Sequence, residues 1–173
     1  TESDCEAIHT VYDMGSFAEE LSSISGMFAS AIYSGQEKKI TLSRDKSGQK
    51  PLFYYVSSDG TTFLFSSSIR SIMASGIAEF RIKRSELPFL FFSEYPRPGN
   101  TCIKGVKSVK PGSTITWQIG SQTVEERRYW TLDLSRTESE RCPTYGPVKD
   151  FVNHSLELSI KEELVADVPV GIL

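Results

Sequence analysis

The stretch from Lys39 to Val56 constrains this chain most, and it reads Lys-Ile-Thr-Leu-Ser-Arg-Asp-Lys-Ser-Gly-Gln-Lys-Pro-Leu-Phe-Tyr-Tyr-Val. Ile40 and Leu42 alternate with Thr41 and Ser43, the period of a strand with one apolar face. A polar turn carrying Gly48 and Pro51 then leads into the apolar, aromatic run Leu52 to Val56. The pattern predicts a β-hairpin at the centre of a sheet. The charged segment Arg44 to Lys50 fits either a binding loop or a solvated connection, and spacing alone favours the second.

Around this stretch the chain alternates helix and strand signals. Ser3 with Glu6 forms a capping-box pattern, Ala7, Ile8, Val11 and Tyr12 give the following helix an apolar face, and Gly15 ends it. Ser16 with Glu19 repeats the capping box ahead of Phe17, Leu21 and Ile24. Met27 to Tyr33 reads as a strand. Asp59-Gly60 marks a tight turn, and Thr61 to Phe65 returns as the next strand, so the middle of the chain is expected to be an antiparallel meander. Ile69 to Ala74 predicts a short helix. Ser85 is placed to cap another, with Pro88 in its first turn and Pro96 and Pro98 beyond its end. Gly99 to Gly112 reads as loop, and Ser113 to Trp117 with Thr123 to Arg128 as a hairpin across Gly120-Ser121.

From Asp133 to Pro143 the residues turn polar and lose any apolar period, which is how an exposed linker reads. The expected layout is therefore 1–130 as one domain, 131–143 as linker and 144–173 as the start of another. Past the linker, Val148, Phe151, Val152, Ser155, Leu156, Ser159, Ile160 and Leu164 form one stripe at helical spacing. Asp167 to Leu173 has the apolar character of an entering strand. Neither a single striped helix nor a lone strand buries its face unaided, so further sequence is expected after Leu173.

Composition narrows the function classes. The 173 residues carry a net charge of −3, with basic residues scattered among acidic ones, so no broad footprint for nucleic acid or an anionic membrane is present. No apolar run reaches membrane-span length and no basic-then-apolar leader opens the chain, so a soluble, cytoplasmic protein is expected. Cys5, Cys102 and Cys142 are odd in number and far apart, which supports neither a disulfide framework nor a metal site. They read as free, buried or half-buried thiols. His9 and His154 are isolated, and a lone histidine on a helix is more often packing or surface than catalysis.

Taken in order, Ser3-Asp4-Cys5-Glu6, Gly26-Met27-Phe28-Ala29, the Arg44 to Leu52 segment with its Arg-Asp-x-x-Gly-x-x-Pro-Leu pattern, Phe65-Ser66-Ser67-Ser68-Ile69, Lys110-Pro111-Gly112, Arg128-Tyr129-Trp130 and Asp167-Val168-Pro169-Val170-Gly171 resemble the glutamine-hydrolysing asparagine synthetase family at matching spacings. The resemblance spans nearly the whole chain. It implies an α+β fold, the second half of an N-terminal nucleophile hydrolase-like αββα sandwich, followed by the first helix and strand of an ATP pyrophosphatase domain. In that family, glutamine is hydrolysed to glutamate and ammonia, and ammonia attacks a carboxylate, aspartate, activated by ATP and Mg2+. The nucleophile is an amino-terminal cysteine whose own amine is the base. By the resemblance it precedes Thr1, so this chain is an internal piece that is inactive alone. Thr1 is the one substitute nucleophile, but it leads straight into a helix cap where a strand is needed.

Two positions carry family roles. Asp4 matches the aspartate that holds the α-ammonium of glutamine, and a carboxylate in a first helical turn is kept ionised by the helix dipole. Read without the family, it is a favourable helix-start charge. Leu173 matches a residue on the adenine side of the ATP pocket. Arg44 and Asp45 are assigned to positioning their hairpin by local ion pairing and hydrogen bonds. Where the family has Ala-Ser-Glu-Ile, this chain has Ser66-Ser67-Ser68-Ile69, so Ser68 replaces a glutamate read as local support. The expected partners are glutamine, ATP and a carboxylate acceptor, with room for a homodimer. Other readings are amidation of a sugar acid or another carboxylate, a ring-forming synthetase with a vestigial glutaminase half, and a non-catalytic scaffold.

Overall fold

Apolar alternation organises the chain into two antiparallel sheets in the computed structural model, which describes residues 4–133, 145–164 and 171. The first sheet contains β1 (Ala29–Ser34), β2 (Lys39–Arg44), β6 (Ser113–Gln118) and β7 (Val124–Arg128), in the order β1-β2-β6-β7. The second contains β3 (Phe53–Val56), β4 (Phe63–Ser66) and the two-residue β5 (Lys107–Ser108), in the order β4-β3-β5. The helices are α1 (Asp4–Asp13), α2 (Phe17–Glu20), α3 (Ile69–Ala74), α4 (Leu87–Ser93) and α5 (Tyr145–Glu163).

The expected hairpin between β2 and β3 does not form. Both edges of β2 are taken, by β1 and β6, and both edges of β3 by β4 and β5, so neither has a free edge for the other. The segment after Arg44 instead carries the chain from one sheet to the other. Leu42 and Tyr54 still meet, but face to face in a core with Leu52, Val109 and Ile115. Phe63 of β4 stacks on Trp117 of β6 with ring centroids 5.1 Å apart, which joins the same two layers.

Strand β3 shows why its sequence is apolar on both sides. Tyr54 and Val56 face the inter-sheet core, whereas Phe53 and Tyr55 pack with Ile72 of α3 and with Val106 on the opposite face. On the first sheet, Ile40 and Leu42 point into the core and the buried Thr41 and Ser43 point away. Ser43 pairs across the sheet with Ser30 and Thr114, and Thr114 with Arg127, whose guanidinium reaches Glu19 of α2 at 3.0 Å. Helix α2 therefore lies over the outer face of that sheet. The ion pair is exposed and adds little beyond orientation.

Most local signals appear where they were expected, with three corrections. Ser16 occupies the N-cap of α2, but its hydroxyl makes no capping bond and instead donates to the Glu20 carboxylate at 3.4 Å. Ser85 does not cap α4: it lies inside a 3-10 turn, Arg84–Glu86, and the N-cap position is Glu86. Strand β5 lies within the segment read as loop. The Ser3 cap, the polar segment read at 133–143 beyond its first residue and nearly all of the strand read at 167–173 fall outside the described residues.

Glu86 closes the loop that carries α4. Its side chain is fully buried, accepts from Arg97 Nη2 at 2.6 Å and lies 3.3 Å from Lys83 Nζ. The Arg97 side chain also donates through Nε, and its backbone N–H reaches the same carboxylate. These bonds, the one from the Arg97 side chain first, outweigh desolvation and hold the Glu86 carboxyl down at about 2. A depressed carboxylate stabilises the fold fully above its unfolded value and less as pH falls through its folded value. The advantage of the wild type over Glu86→Gln in thermal melts is thus expected to be constant near neutrality and to shrink between about pH 4.5 and about 2. A difference that stayed flat down to pH 2 would contradict this.

The chain divides into two compact units, Thr1–Thr131 and Leu132–Leu173. The second is dominated by α5, whose stripe residues Val148, Phe151, Val152, Leu156 and Ile160 are exposed. Among the described residues, no helix is long and apolar enough to cross a membrane.

Candidate functional site

A cleft of about 1080 Å3 runs between α1 and β1. From α1 it is lined by Cys5, Ile8, His9, Tyr12 and Asp13, the spacing of a single helical face. The opposite wall is the run from Met27 through β1 to Glu37, and Lys50, Pro51 and Ser67 complete it. One edge of β1 pairs with β2, and among the described strands the other pairs with none. The cleft is therefore bordered by a strand edge, whose N–H and C=O groups, paired with no other described strand, suit a polar ligand.

The end of the cleft formed by the β1–β2 turn is tied down. Tyr12 Oη donates to Glu37 Oε2 at 3.2 Å, and Lys39 Nζ lies 2.9 Å from the same oxygen. The Lys39 contact, with help from Tyr12, holds the Glu37 carboxyl below its ordinary value, and Glu37 in turn raises Lys39. Asp4 is the first residue of α1, the helix that walls the cleft. Leu173 lies outside the described residues.

The loop leaving β2 builds the remaining wall. Arg44 donates from Nε to the Lys50 carbonyl at 2.7 Å, from Nη2 to the Gly48 carbonyl at 2.6 Å and from Nη1 to the Val109 carbonyl at 2.7 Å. Asp45 is buried and accepts from the backbone N–H groups of Gln49 at 2.9 Å and Lys50 at 3.0 Å. Of the local ion pairing and hydrogen bonds expected of Arg44 and Asp45, the hydrogen bonds form, and among the described residues neither makes an ion pair: each spends its charge on the backbone of the same loop. Burial lowers the Arg44 pKa, and the neighbouring Asp45 charge partly opposes this. Tyr129 caps the arrangement by donating to the Arg44 carbonyl at 2.6 Å, and burial pushes its phenol to about 12. Gly48 has φ +72, and a Cβ there would stand 2.7 Å from Pro111 Cγ, so the loop requires glycine.

Cys5, His9 and Asp13 stand four residues apart on α1, with His9 Nδ1 3.2 Å from Asp13 Oδ2. Cys5 is exposed, not buried as expected, and Cys102 is half-buried. Cys142 lies outside the described residues. Among those residues, no group of three or more His, Cys, Asp and Glu side chains is placed to hold a metal. Ser68 is the N-cap of α3 without a side-chain capping bond, and its N–H donates to Ser66 Oγ at 3.1 Å. Sequence reasoning missed Lys50, Pro51 and Ser67 as cleft residues, because only the crossover between sheets brings them to α1 and β1.

Fold and cleft together define an α+β domain of two facing antiparallel sheets with a cleft along the edge of β1. The chain belongs to the glutamine amidotransferase domain family, whose sequence model matches residues 1–130. It is 28% identical over 148 residues to asparagine synthetase [glutamine-hydrolyzing] 3 of Bacillus subtilis, covering 85% of this chain and 23% of that protein. It is 25% identical over 181 residues to the putative asparagine synthetase [glutamine-hydrolyzing] 2 of Methanocaldococcus jannaschii, covering 99% and 32%. It is also 25% identical over 170 residues to amidase chry2 of Gibberella zeae, covering 98% and 24%. The chain thus spans about a quarter to a third of the length of these relatives.

Proposed function

We propose that this chain is an internal part of a glutamine-hydrolysing amidotransferase that passes ammonia to an ATP-activated carboxylate, with aspartate as acceptor. Residues 1–130 form the later part of the glutaminase domain, an N-terminal nucleophile hydrolase-like αββα sandwich. Residues 131–143 are the linker, and 144–173 open the ATP pyrophosphatase domain that uses ATP and Mg2+, with Leu173 on the adenine side. The nucleophilic cysteine precedes Thr1. Its thiolate attacks the glutamine carboxamide, its amine takes and returns the proton, ammonia leaves, and water hydrolyses the thioester to glutamate.

The observation that carries this reading is the place of Asp4, at the start of the helix whose exposed face walls the cleft. A carboxylate there meets an α-ammonium with charge-assisted bonds and leaves the rest of the glutamine to run along the β1 edge.

Asp4→Ala in the longer protein is expected to lower kcat/KM for glutamine about ten- to a hundredfold, the scale of a lost charge-assisted bond of roughly 1.5 to 3 kcal/mol. Ammonia-dependent synthesis should stay nearly unchanged. Equal losses with both nitrogen donors would show that Asp4 serves folding and would remove the support for the glutamine site.

A further inference from the structure

We propose that Asp45 is a positioning residue for glutamine, setting the Lys50–Pro51 wall of the cleft against the Phe28 wall; the assignment rests on the glutaminase reading above. The backbone of Lys50 is held at both ends, its N–H by Asp45 Oδ2 at 3.0 Å and its carbonyl by Arg44 Nε at 2.7 Å. Asp45 also reaches the opposite wall, since its own N–H donates to the Phe28 carbonyl at 3.0 Å. Its carbonyl accepts from Gly48 and Gly112 at 3.1 and 2.9 Å, which fixes the carboxylate itself. One buried residue therefore sets the spacing of two segments that line the cleft.

Core packing does not account for this. Gln49 and Lys50 are exposed, and the buried Leu52 already anchors the start of β3 in the inter-sheet core. Ordering an exposed loop costs conformational entropy. The recipient of that order is whatever occupies the cleft that Lys50 and Pro51 border. A carboxylate is the group that does this best, because it accepts from both backbone N–H groups and carries no donor of its own. An asparagine of the same size would turn an NH2 toward either the Gln49 or the Lys50 N–H. Small displacements of a substrate-positioning wall have large kinetic consequences.

The test is steady-state glutamate release by the full-length protein, with thermal melts alongside. Asp45→Asn is expected to raise KM for glutamine about tenfold with kcat changed less than about threefold. Lys50→Gly keeps Asp45 and every backbone bond but frees the exposed residue, and should raise KM several-fold with the melting temperature unmoved. Should Asp45→Asn fail to fold, Lys50→Gly carries the test alone. Leu52→Val is the stability control, expected to lower the melting temperature and leave KM where it was. The assignment is overturned if KM stays at the wild-type value in Asp45→Asn or in Lys50→Gly, or if Leu52→Val raises KM in proportion to its loss of stability. A wild-type protein that releases no glutamate overturns the glutaminase reading and this assignment with it.

Discussion

Glutamate release from glutamine is expected from the full-length protein and to be slower by at least about four orders of magnitude from residues 1–173 alone. In a covalent mechanism the thiol and its base act as a unit, and deleting a nucleophile costs about 10^6-fold in kcat where it has been measured. Under the proposed function both groups belong to one residue that precedes Thr1. Nothing in the described cleft replaces them: Cys5 lies within α1 and has no free α-amine, and His9 is engaged by Asp13. Binding of glutamine without that residue forms no thioester. The measurement is coupled glutamate detection on both proteins, with circular dichroism to establish that the shorter one is folded. Comparable rates would refute the internal-piece reading and return attention to Thr1.

Leu42→Ala is expected to destabilise the first unit by about 3 to 5 kcal/mol, a large part of the stability of an ordinary domain. Leu42 is fully buried in the core it shares with Leu52, Tyr54, Val109 and Ile115, which come from both sheets and from the segments that join them. Truncation removes apolar contact from both layers at once. The surrounding strands are hydrogen-bonded on each side and have little freedom to collapse into the space. Urea denaturation of the two proteins measures the difference. A loss under about 1 kcal/mol would mean that the sheets do not close on this residue.

The unequal legibility of the chain follows from the range of the forces involved. Helix α3 is legible at its observed bounds because its signals are local: a short run, Ile69 to Ala74, that ends near Gly76. The β3–β4 and β6–β7 hairpins were equally legible, since Asp59-Gly60 and Gly120-Ser121 impose reversal over a few residues. The membership of β2 and β3 in different sheets was not. Alternation says that a strand has an inner face, but it does not say which strand supplies the lateral partner and which the facing one.

Arg44 and Asp45 show the same limit at the level of a site. Their charges suggest local ion pairing as much as hydrogen bonding. Burial beside a loop full of unpaired backbone groups decided for the second, and each became a clamp on Lys50. Glu86 passed unnoticed because its partner Arg97 lies across α4, at a separation no local pattern spans. Asp4 could be singled out by resemblance and helix-start chemistry alone. The cleft could not, because that space exists only where α1, β1 and the crossover loop converge. Local propensity and periodicity thus determined the elements of this protein and the family motifs they carry. Long-range pairing, which depends on which edges and faces remain available once the sheets have formed, decided the layer arrangement and the walls of the site.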